Sequence, residues 1–150
     1  MRKQRIYIDT SVVGGCCDAV FPVESLQLFD MARRGIVIFV FSDIVLDEIN
    51  DAPREVQAVI ESLPANTYEI VESSVESEAL RDCYLEANIL GSASINDAHH
   101  VAIASVKRVD MIVSWNFKRL VHLDKIRGFN AVNLQQGYLM IEIRSPKEIV

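Results

Sequence analysis

Four polar residues lie at the carboxyl end of a predicted strand or on a helix that begins nearby, and their side chains could bind a metal ion or take part in catalysis. They are Asp9, Glu48, Asp97 and Asn116. Asp9 directly follows residues 6–8, a short apolar segment typical of a buried strand. Ligands of an open parallel sheet bind in the crevice beyond the carboxyl ends of the strands. We therefore expect the Asp9 carboxylate to face a site. The alternative is that Asp9 only caps the helix that follows, as Asp often does.

Glu48 lies in a predicted amphipathic helix that comes after residues 36–41, an unbroken apolar run typical of a strand covered on both faces. Ser42 is placed to cap this helix. Because Glu48 is next to Ile49, it falls near the edge of the buried stripe and could point along a cleft. The alternative is an ordinary exposed helix acid.

Asp97 falls in the first turn of a helix predicted over residues 94–106, where a carboxylate meets the positive end of the helix dipole. Its spacing from Ser94 also resembles a capping box, so capping is the competing interpretation. His99 and His100 are neighbours on this helix and point roughly 100° apart, so they cannot jointly bind one metal ion. At most one of the two histidines reaches a cleft.

Asn116 follows a strand predicted at residues 111–114 and therefore occupies the same level of the sheet as Asp9. Carboxylates that gather at one edge raise one another's pKa unless a cation neutralises them. Mg²⁺ or Mn²⁺ takes oxygen ligands, keeps several waters and suits a site of two or three acids. The sequence thus predicts a divalent-metal site built from Asp9, Glu48 and Asp97.

The rest of the chain alternates predicted strands and helices, which indicates a three-layer α/β/α fold with a mainly parallel sheet. The further strands are expected at residues 68–71, 131–134 and 138–143. The further helices are expected at residues 23–35, 53–63 and 73–91, with 122–128 as helix or loop. Ser73 and Glu76 have capping-box spacing, Gly91 is expected to close the helix that they begin, and Pro146 is expected to end regular structure.

The composition favours one domain spanning residues 1–150 that resides in the cytoplasm. Half of the 150 residues are apolar, enough for a sizeable core. No apolar run reaches the roughly 18 residues that span a bilayer, and residues 1–5 lead into a strand without a signal-peptide pattern. The three cysteines are an odd number without zinc-type spacing, which suits a reducing compartment.

The net charge of −6 is unevenly distributed. Residues 43–86 hold twelve acids and two bases, whereas residues 107–127 hold six bases and two acids. An acidic protein binds nucleic acid poorly without specificity, yet a local basic face can hold a phosphodiester. Lys118 and Arg119, close to Asn116, are the candidate substrate-binding bases. The alternative is that this stretch forms solvated helix faces.

Four segments together carry a resemblance to the PIN-domain family over nearly the whole chain. They are YIDTSV at residues 7–12, VLDEI at 45–49, NDAHHVAIA at 96–104 and MIVSWNFKRL at 111–120. Their order and spacing are more specific than any one of them. The resemblance implies a PIN-like fold, a Mg²⁺ or Mn²⁺ site, and hydrolysis of RNA phosphodiesters, as in the nuclease toxins of toxin–antitoxin pairs. It also implies an antitoxin protein as partner and a homodimer.

By position in these motifs, Asp9 and Asp97 correspond to the principal metal ligands and Glu48 to the third acid. Asn116 stands where many members of the family have a fourth Asp, and an amide carries no charge and cannot act as a base. Thr10 or Ser11 could orient the scissile phosphate through a hydroxyl or a backbone N–H. The missing charge predicts weaker occupancy of any second ion.

Two rival functions follow from the same residues. A haloacid-dehalogenase phosphatase also begins with an Asp at a strand end but needs a second Asp two residues later, where this chain has Ser11. That class is set aside. The other rival is a catalytically weak or inactive PIN scaffold that binds RNA or a partner protein, which the neutral Asn116 and the net acidity both permit.

Overall fold

A computed structural model describes residues 2–19 and 22–150, which form five strands and eight helices. The strands are β1 (Gln4–Ile8), β2 (Val37–Ser42), β3 (Tyr68–Val71), β4 (Met111–Val113) and β5 (Glu142–Arg144). The helices are α1 (Thr10–Gly15), α2 (Pro22–Arg33), α3 (Asp43–Asn50), α4 (Arg54–Glu61), α5 (Val75–Glu86), α6 (Ile95–Val106), α7 (Leu123–Gln135) and α8 (Pro146–Ile149). The predicted alternation of strands and helices is confirmed.

The strands form one parallel sheet in the order β3-β2-β1-β4-β5. Tyr7 at the centre of the sheet pairs with Val40 on one side and Ile112 on the other. From β1 the chain builds outward through β2 to β3, and it then crosses to the other side of β1 to begin β4. The order of the strands therefore reverses between β1 and β4, which is the usual position of a binding crevice in such sheets.

The centre of the sheet is covered on both faces. Residues 6–8 of β1 and 39–41 of β2 have no exposed surface, as their unbroken apolar runs predict. Helices α5, α6 and α7 pack together as one group, and α1, α2, α3, α4 and α8 pack together as another. In α6, residues 101–104 are fully buried, so this helix is apolar nearly all round. The predicted three-layer α/β/α fold is confirmed.

The segment predicted as a strand at residues 131–134 is instead the second half of α7. Phe129 and Val132 are buried three residues apart, and Asn130 and Asn133 are buried at the same spacing. Both amides bind the segment before β5: Asn130 Nδ2 donates to the carbonyl of Ile141 at 3.1 Å, and Asn133 also reaches this segment. Burial at a spacing of three residues is typical of a helix. Because two of the buried residues are Asn and not apolar, the apolar periodicity that identifies a helix is missing from the sequence.

The end of the chain also differs from the prediction. The last strand is shorter and begins later than residues 138–143, because only residues 142–144 pair with β4. Pro146 does not stop regular structure but opens α8 at its first position. Proline is favoured there because its fixed φ suits a helix and its missing N–H is not needed in the first turn.

Helix α5 has different ends from those predicted. Ser74 caps it and forms a reciprocal capping box with Ser77, one residue later than the predicted box of Ser73 and Glu76. The helix ends at Glu86, and the left-handed residue beyond it is Asn88 with a φ of 59°, so Gly91 does not close it. Asn tolerates this conformation because its short polar side chain can bond locally.

Ser73, which was predicted to cap α5, instead donates two hydrogen bonds to Asp43. At the start of α3, Asp43 Oδ1 accepts from the backbone N–H of Ser73 at 2.9 Å and Oδ2 accepts from its hydroxyl at 2.7 Å. Burial alone would raise the pKa of Asp43, but these bonds outweigh it and lower the pKa below the usual 3.8. This carboxylate ties the helix after β2 to the loop after β3.

No helix among the described residues is both long and apolar enough to cross a bilayer. Cys16, Cys17 and Cys83 are free thiols.

We predict that the free energy of unfolding of Asp43→Asn falls less steeply than that of wild type as the pH is lowered into the acid range. A carboxyl group with a lowered folded pKa stabilises the protein above its unfolded pKa, and this contribution is lost as the pH falls through the folded pKa. The variant should unfold about 1 kcal/mol more easily at neutral pH, and this difference should vanish once the pH has fallen below the lowered folded pKa of Asp43. Urea unfolding across pH checks it, with Asp47→Asn, an exposed acid of the same helix, as control. Parallel profiles for wild type and Asp43→Asn would contradict the prediction.

Candidate active site at the β1–β4 edge

Asp9 lies at the carboxyl end of β1 and is buried, with only 4 % of its residue surface exposed. It caps α1, since Oδ1 accepts from the backbone N–H of Val12 at 3.3 Å. The same oxygen accepts from the Ser11 hydroxyl at 2.7 Å, and Oδ2 accepts from the Ser114 hydroxyl at 2.5 Å. The two interpretations of Asp9 are therefore compatible: one oxygen caps the helix, and the other spans the reversal point to the end of β4.

Burial raises the pKa of Asp9 above its usual 3.8, although hydrogen bonds from Ser11, Ser114 and the Val12 N–H oppose the shift. An ionised carboxylate in such a place destabilises the fold unless a positive charge approaches it. The acid is thus held where its charge is unfavourable for stability. Stored unfavourable charge at the edge of a sheet is typical of a functional group.

Glu48 projects from α3 toward the residue after Asp9. Its Oε1 accepts from the Thr10 hydroxyl at 3.0 Å and from His100 Nε2 at 2.9 Å. Burial raises the pKa of Glu48, but the hydrogen bond from His100, the electrostatic interaction with His100 and the hydrogen bond from Thr10 outweigh it, so the pKa lies below its usual 4.5. With 34 % of its side chain exposed, Glu48 is a half-buried carboxylate and not an ordinary exposed helix acid.

Asp97 does not serve in the predicted capping box. Ser94, at the start of α6, makes no side-chain capping bond. Asp97 Oδ2 instead lies 3.4 Å from Arg119 Nη1, and both side chains are partly exposed. A carboxylate at the N-terminus of α6 therefore faces a guanidinium that comes from the segment beyond β4.

Asn116 connects the two sides of this edge through its backbone and its amide. Its backbone N–H donates to Ser114 Oγ at 2.9 Å, and its side-chain Oδ1 accepts from the backbone N–H of Arg119 at 3.0 Å. The amide oxygen thus closes the turn that presents Arg119. Asn116 lies at the level of Asp9, and its oxygen is used within its own loop.

Two chains of contacts organise the edge. One runs from Asp9 through Ser114 and Asn116 to Arg119 and Asp97. The other runs from Thr10 through Glu48 to His100. Asp9 is thus connected to Asp97 through contacts of the segment after β4, whereas Glu48 contacts Thr10, the residue that follows Asp9. Within residues 2–19 and 22–150, no three His, Cys, Asp or Glu side chains form a ready metal-binding group.

The chemistry of the donors nevertheless fits a hard divalent cation. The three acids offer carboxylate oxygens, which Mg²⁺ and Mn²⁺ prefer, and few protein ligands suffice because such ions keep several waters. The Asp97–Arg119 ion pair balances one of these charges in the structure. A cation at this carboxylate would compete with the guanidinium.

The predicted substrate-binding residues fall into two groups: hydroxyls that bind the candidate acids and basic side chains after β4. The Thr10 hydroxyl donates to Glu48, while the Ser11 hydroxyl donates to Asp9 and accepts from the Trp115 backbone N–H at 2.9 Å. Both hydroxyls thus orient acids. Lys118 is exposed in the same turn that carries Arg119.

Sequence reasoning missed three contributors to this edge: Ser114, Tyr7 and, as a specific choice, His100. Of the two adjacent histidines, His99 packs toward Ser77, with Nε2 3.0 Å from its hydroxyl, and His100 reaches Glu48. Of the two buried histidines, His100 therefore contacts one of the candidate acids, and His99 contacts a serine of α5. The signal that could have found Ser114 is a small hydroxyl at the end of β4, at the level of Asp9.

Comparison with known proteins gives matches among solved structures alone. No protein-family model and no curated protein matches the sequence. The VapC20 toxin of Mycobacterium tuberculosis, which cleaves the sarcin–ricin loop, superposes with a TM-score of 0.59 at 15 % identity, covering 91 % of this chain and 98 % of that one. VapBC2 of Rickettsia felis, solved with a DNA fragment from its promoter, gives a TM-score of 0.59 at 12 % identity, covering 95 % and 98 %.

At these identities the likeness concerns the fold. It extends over nearly all of both chains, as the motif resemblance does. The resemblance to PIN-domain proteins is therefore confirmed in three dimensions: this chain has the PIN-like α/β/α fold of the VapC toxins.

Proposed function

We propose that this protein is a divalent-metal-dependent endoribonuclease of the cytoplasm, the toxin of a toxin–antitoxin pair, which hydrolyses RNA phosphodiester bonds. The observation that carries the proposal is the buried Asp9 carboxylate at the β1–β4 reversal, with Glu48 and Asp97 at the same edge. The fold shared with a toxin that cleaves the sarcin–ricin loop supports it. We also propose an antitoxin partner and a homodimer, both of which the motif resemblance implies.

In this proposal Asp9, Glu48 and Asp97 hold Mg²⁺ or Mn²⁺. When bound, such an ion would activate water and stabilise charge on the phosphoryl oxygens. Ser11 and Ser114 orient the Asp9 carboxylate, and they do so by donating to both of its oxygens.

Arg119 and Lys118 bind the RNA backbone. The Arg119 guanidinium can receive a phosphate in the two-pronged geometry that arginine favours, and it lies beside the acid that would bind the metal. Closing the turn with Asn116 fixes the point from which Arg119 extends. Asn116 contributes no charge and no base.

The decisive experiment is cleavage of a panel of structured RNAs with Mn²⁺ or Mg²⁺ and with EDTA. The panel includes the sarcin–ricin loop, because VapC20 cleaves it. Glu48→Gln and Asp97→Asn should lower the rate by at least about 100-fold, since loss of outer-shell partners alone costs 10–100-fold. Asp47→Asn, beside Glu48 but exposed, is the matched control and should cut like wild type. Cleavage that persists in EDTA, or that persists in both Glu48→Gln and Asp97→Asn, would refute the proposal.

Asp9→Asn should separate stability from activity. An acid whose folded pKa is raised stabilises the protein fully only below its unfolded pKa, and the ionised form at neutral pH opposes folding. In EDTA at pH 7 we therefore expect Asp9→Asn to melt at a higher temperature than wild type, and in Mn²⁺ we expect it not to cut RNA. Thermal melts followed by circular dichroism check the first part. A lower melting temperature than wild type across pH 5–8 would contradict it.

A catalytically weak scaffold that binds RNA or a protein is the second candidate, and the neutral Asn116 favours it. We expect Asn116→Asp to keep the turn, because a carboxylate also accepts from the Arg119 N–H. The added charge should tighten Mn²⁺ binding and raise the cleavage rate. Asn50→Asp, at the exposed end of α3, is the control. Calorimetric Mn²⁺ titration beside the cleavage assay measures both effects, and unchanged affinity would count against a metal role at this position.

A further inference from the structure

A buried chain of hydrogen bonds stands behind Glu48. The chain consists of Ser42, Tyr7 and His100, each at most 2 % exposed. Tyr7 Oη lies 2.6 Å from Ser42 Oγ and 2.7 Å from His100 Nδ1, and His100 Nε2 lies 2.9 Å from Glu48 Oε1. Together these three side chains connect the interior of the protein to Glu48.

The donors of this chain can run in one direction when the imidazole is neutral. Ser42 Oγ accepts from the backbone N–H of Val45 at 3.2 Å, which leaves its own hydrogen for the Tyr7 oxygen. Tyr7 then donates to His100 Nδ1. The remaining ring hydrogen is on Nε2, where it donates to the Glu48 carboxylate, a group that only accepts when ionised.

Tyr7 keeps its hydroxyl hydrogen at neutral pH and can therefore donate it. Burial, with the nearby charges of Asp9 and Glu48, raises the pKa of its phenol well above the usual 10. Its ring is also fixed, because Tyr7 has no exposed surface and pairs within the sheet on both sides. The orientation of the His100 ring is therefore determined by the central strand.

The chain joins the elements that carry the acids. Ser42 caps α3, which bears Glu48, while Tyr7 belongs to β1 and His100 to α6. Both donors to Glu48, His100 and Thr10, bind the same oxygen, Oε1. Among the described residues no hydrogen bond or ion pair reaches Oε2. The carboxylate is thus fixed by one oxygen and offers the other.

We propose that His100 is a positioning residue: held by Tyr7 and Ser42, it donates from Nε2 to Glu48 Oε1 and so presents Glu48 Oε2 to a divalent cation. This inference rests on the proposed function, since it presumes that Glu48 binds the ion. Partners that hold a ligating carboxylate typically change metal affinity or activity 10–100-fold when they are removed.

The first test reads the histidine tautomer by long-range ¹H–¹⁵N NMR on the full chain in EDTA. We expect the His100 ring to carry its proton on Nε2 and to have an unprotonated Nδ1. The result does not depend on metal or on catalysis. A proton on Nδ1, alone or together with Nε2, would overturn the proposal, because Tyr7 could not then donate to that atom.

The second test compares two replacements of His100 by calorimetric titration with Mn²⁺ alone. The Gln amide nitrogen can take the place of Nε2, whereas the Asn amide reaches only as far as Nδ1. We expect His100→Asn to weaken Mn²⁺ binding by at least about 10-fold and His100→Gln to restore most of the affinity. Equal affinities for the Asn variant and wild type would overturn the proposal.

Tyr7→Phe keeps the inference testable where a His100 variant fails to fold, because it retains the ring and removes only the hydroxyl. The matched control is Tyr84→Phe, another buried tyrosine, whose hydroxyl binds Asn133 in a different part of the fold. We expect Tyr7→Phe alone to weaken Mn²⁺ binding, even where both variants lose similar thermal stability. Equal Mn²⁺ affinities for the two variants would count against a positioning role.

A double variant separates this inference from the proposed function. Because His100 acts through Glu48, His100→Asn should not weaken Mn²⁺ binding further in a Glu48→Gln background. Binding that depends on Glu48 but not on His100 overturns the inference and leaves the function standing. A wild type that binds Mn²⁺ through both residues but cuts none of the RNA panel overturns the function and leaves the inference standing. A wild type that binds no Mn²⁺ overturns both.

Discussion

The burial of the Asp9 carboxylate is the constraint on which the arrangement of the candidate active site depends. A charge at the end of the central strand has to be satisfied within the protein, and the donors come from three places: the first turn of α1, the Ser11 hydroxyl and the Ser114 hydroxyl across the strand reversal. These bonds reduce the penalty of burial but do not cancel it, because the pKa of Asp9 remains raised. The fold thus holds an acid whose charge a cation would stabilise.

Asp9 and Glu48 have pKa values that their surroundings shift in opposite directions. The pKa of Asp9 is raised by burial, whereas that of Glu48 is lowered because His100 and Thr10 donate to it. Carboxyl groups whose environments move their pKa values apart are typical of catalytic sites. Asp97 differs again, because its charge is balanced by Arg119 in an ion pair near the surface. An exposed pair of this kind contributes little to stability and leaves its members available to other partners.

Most of the fold follows from local patterns in the sequence. The apolar runs at β1 and β2, the Ser42 cap and the helical spacing of α6 each depend on residues close together in the chain, and all were predicted. The errors lie where local signals conflict. In α7, inward-facing Asn residues hide a helical period, and at Pro146 the same residue can end one helix or begin another.

The sequence by itself determined that Asp9 follows a strand and that Glu48 and Asp97 lie on helices. It also determined the parallel α/β architecture and the resemblance to PIN-domain proteins. Tertiary structure alone decided that Ser114 binds Asp9 from 105 residues away and that Arg119 faces Asp97. It also decided that His100 and not His99 reaches Glu48. The physical reason is that periodicity and capping act over a few residues, whereas these contacts depend on strand order and on the rotation of α6 against the sheet. Both are set by packing of the whole core.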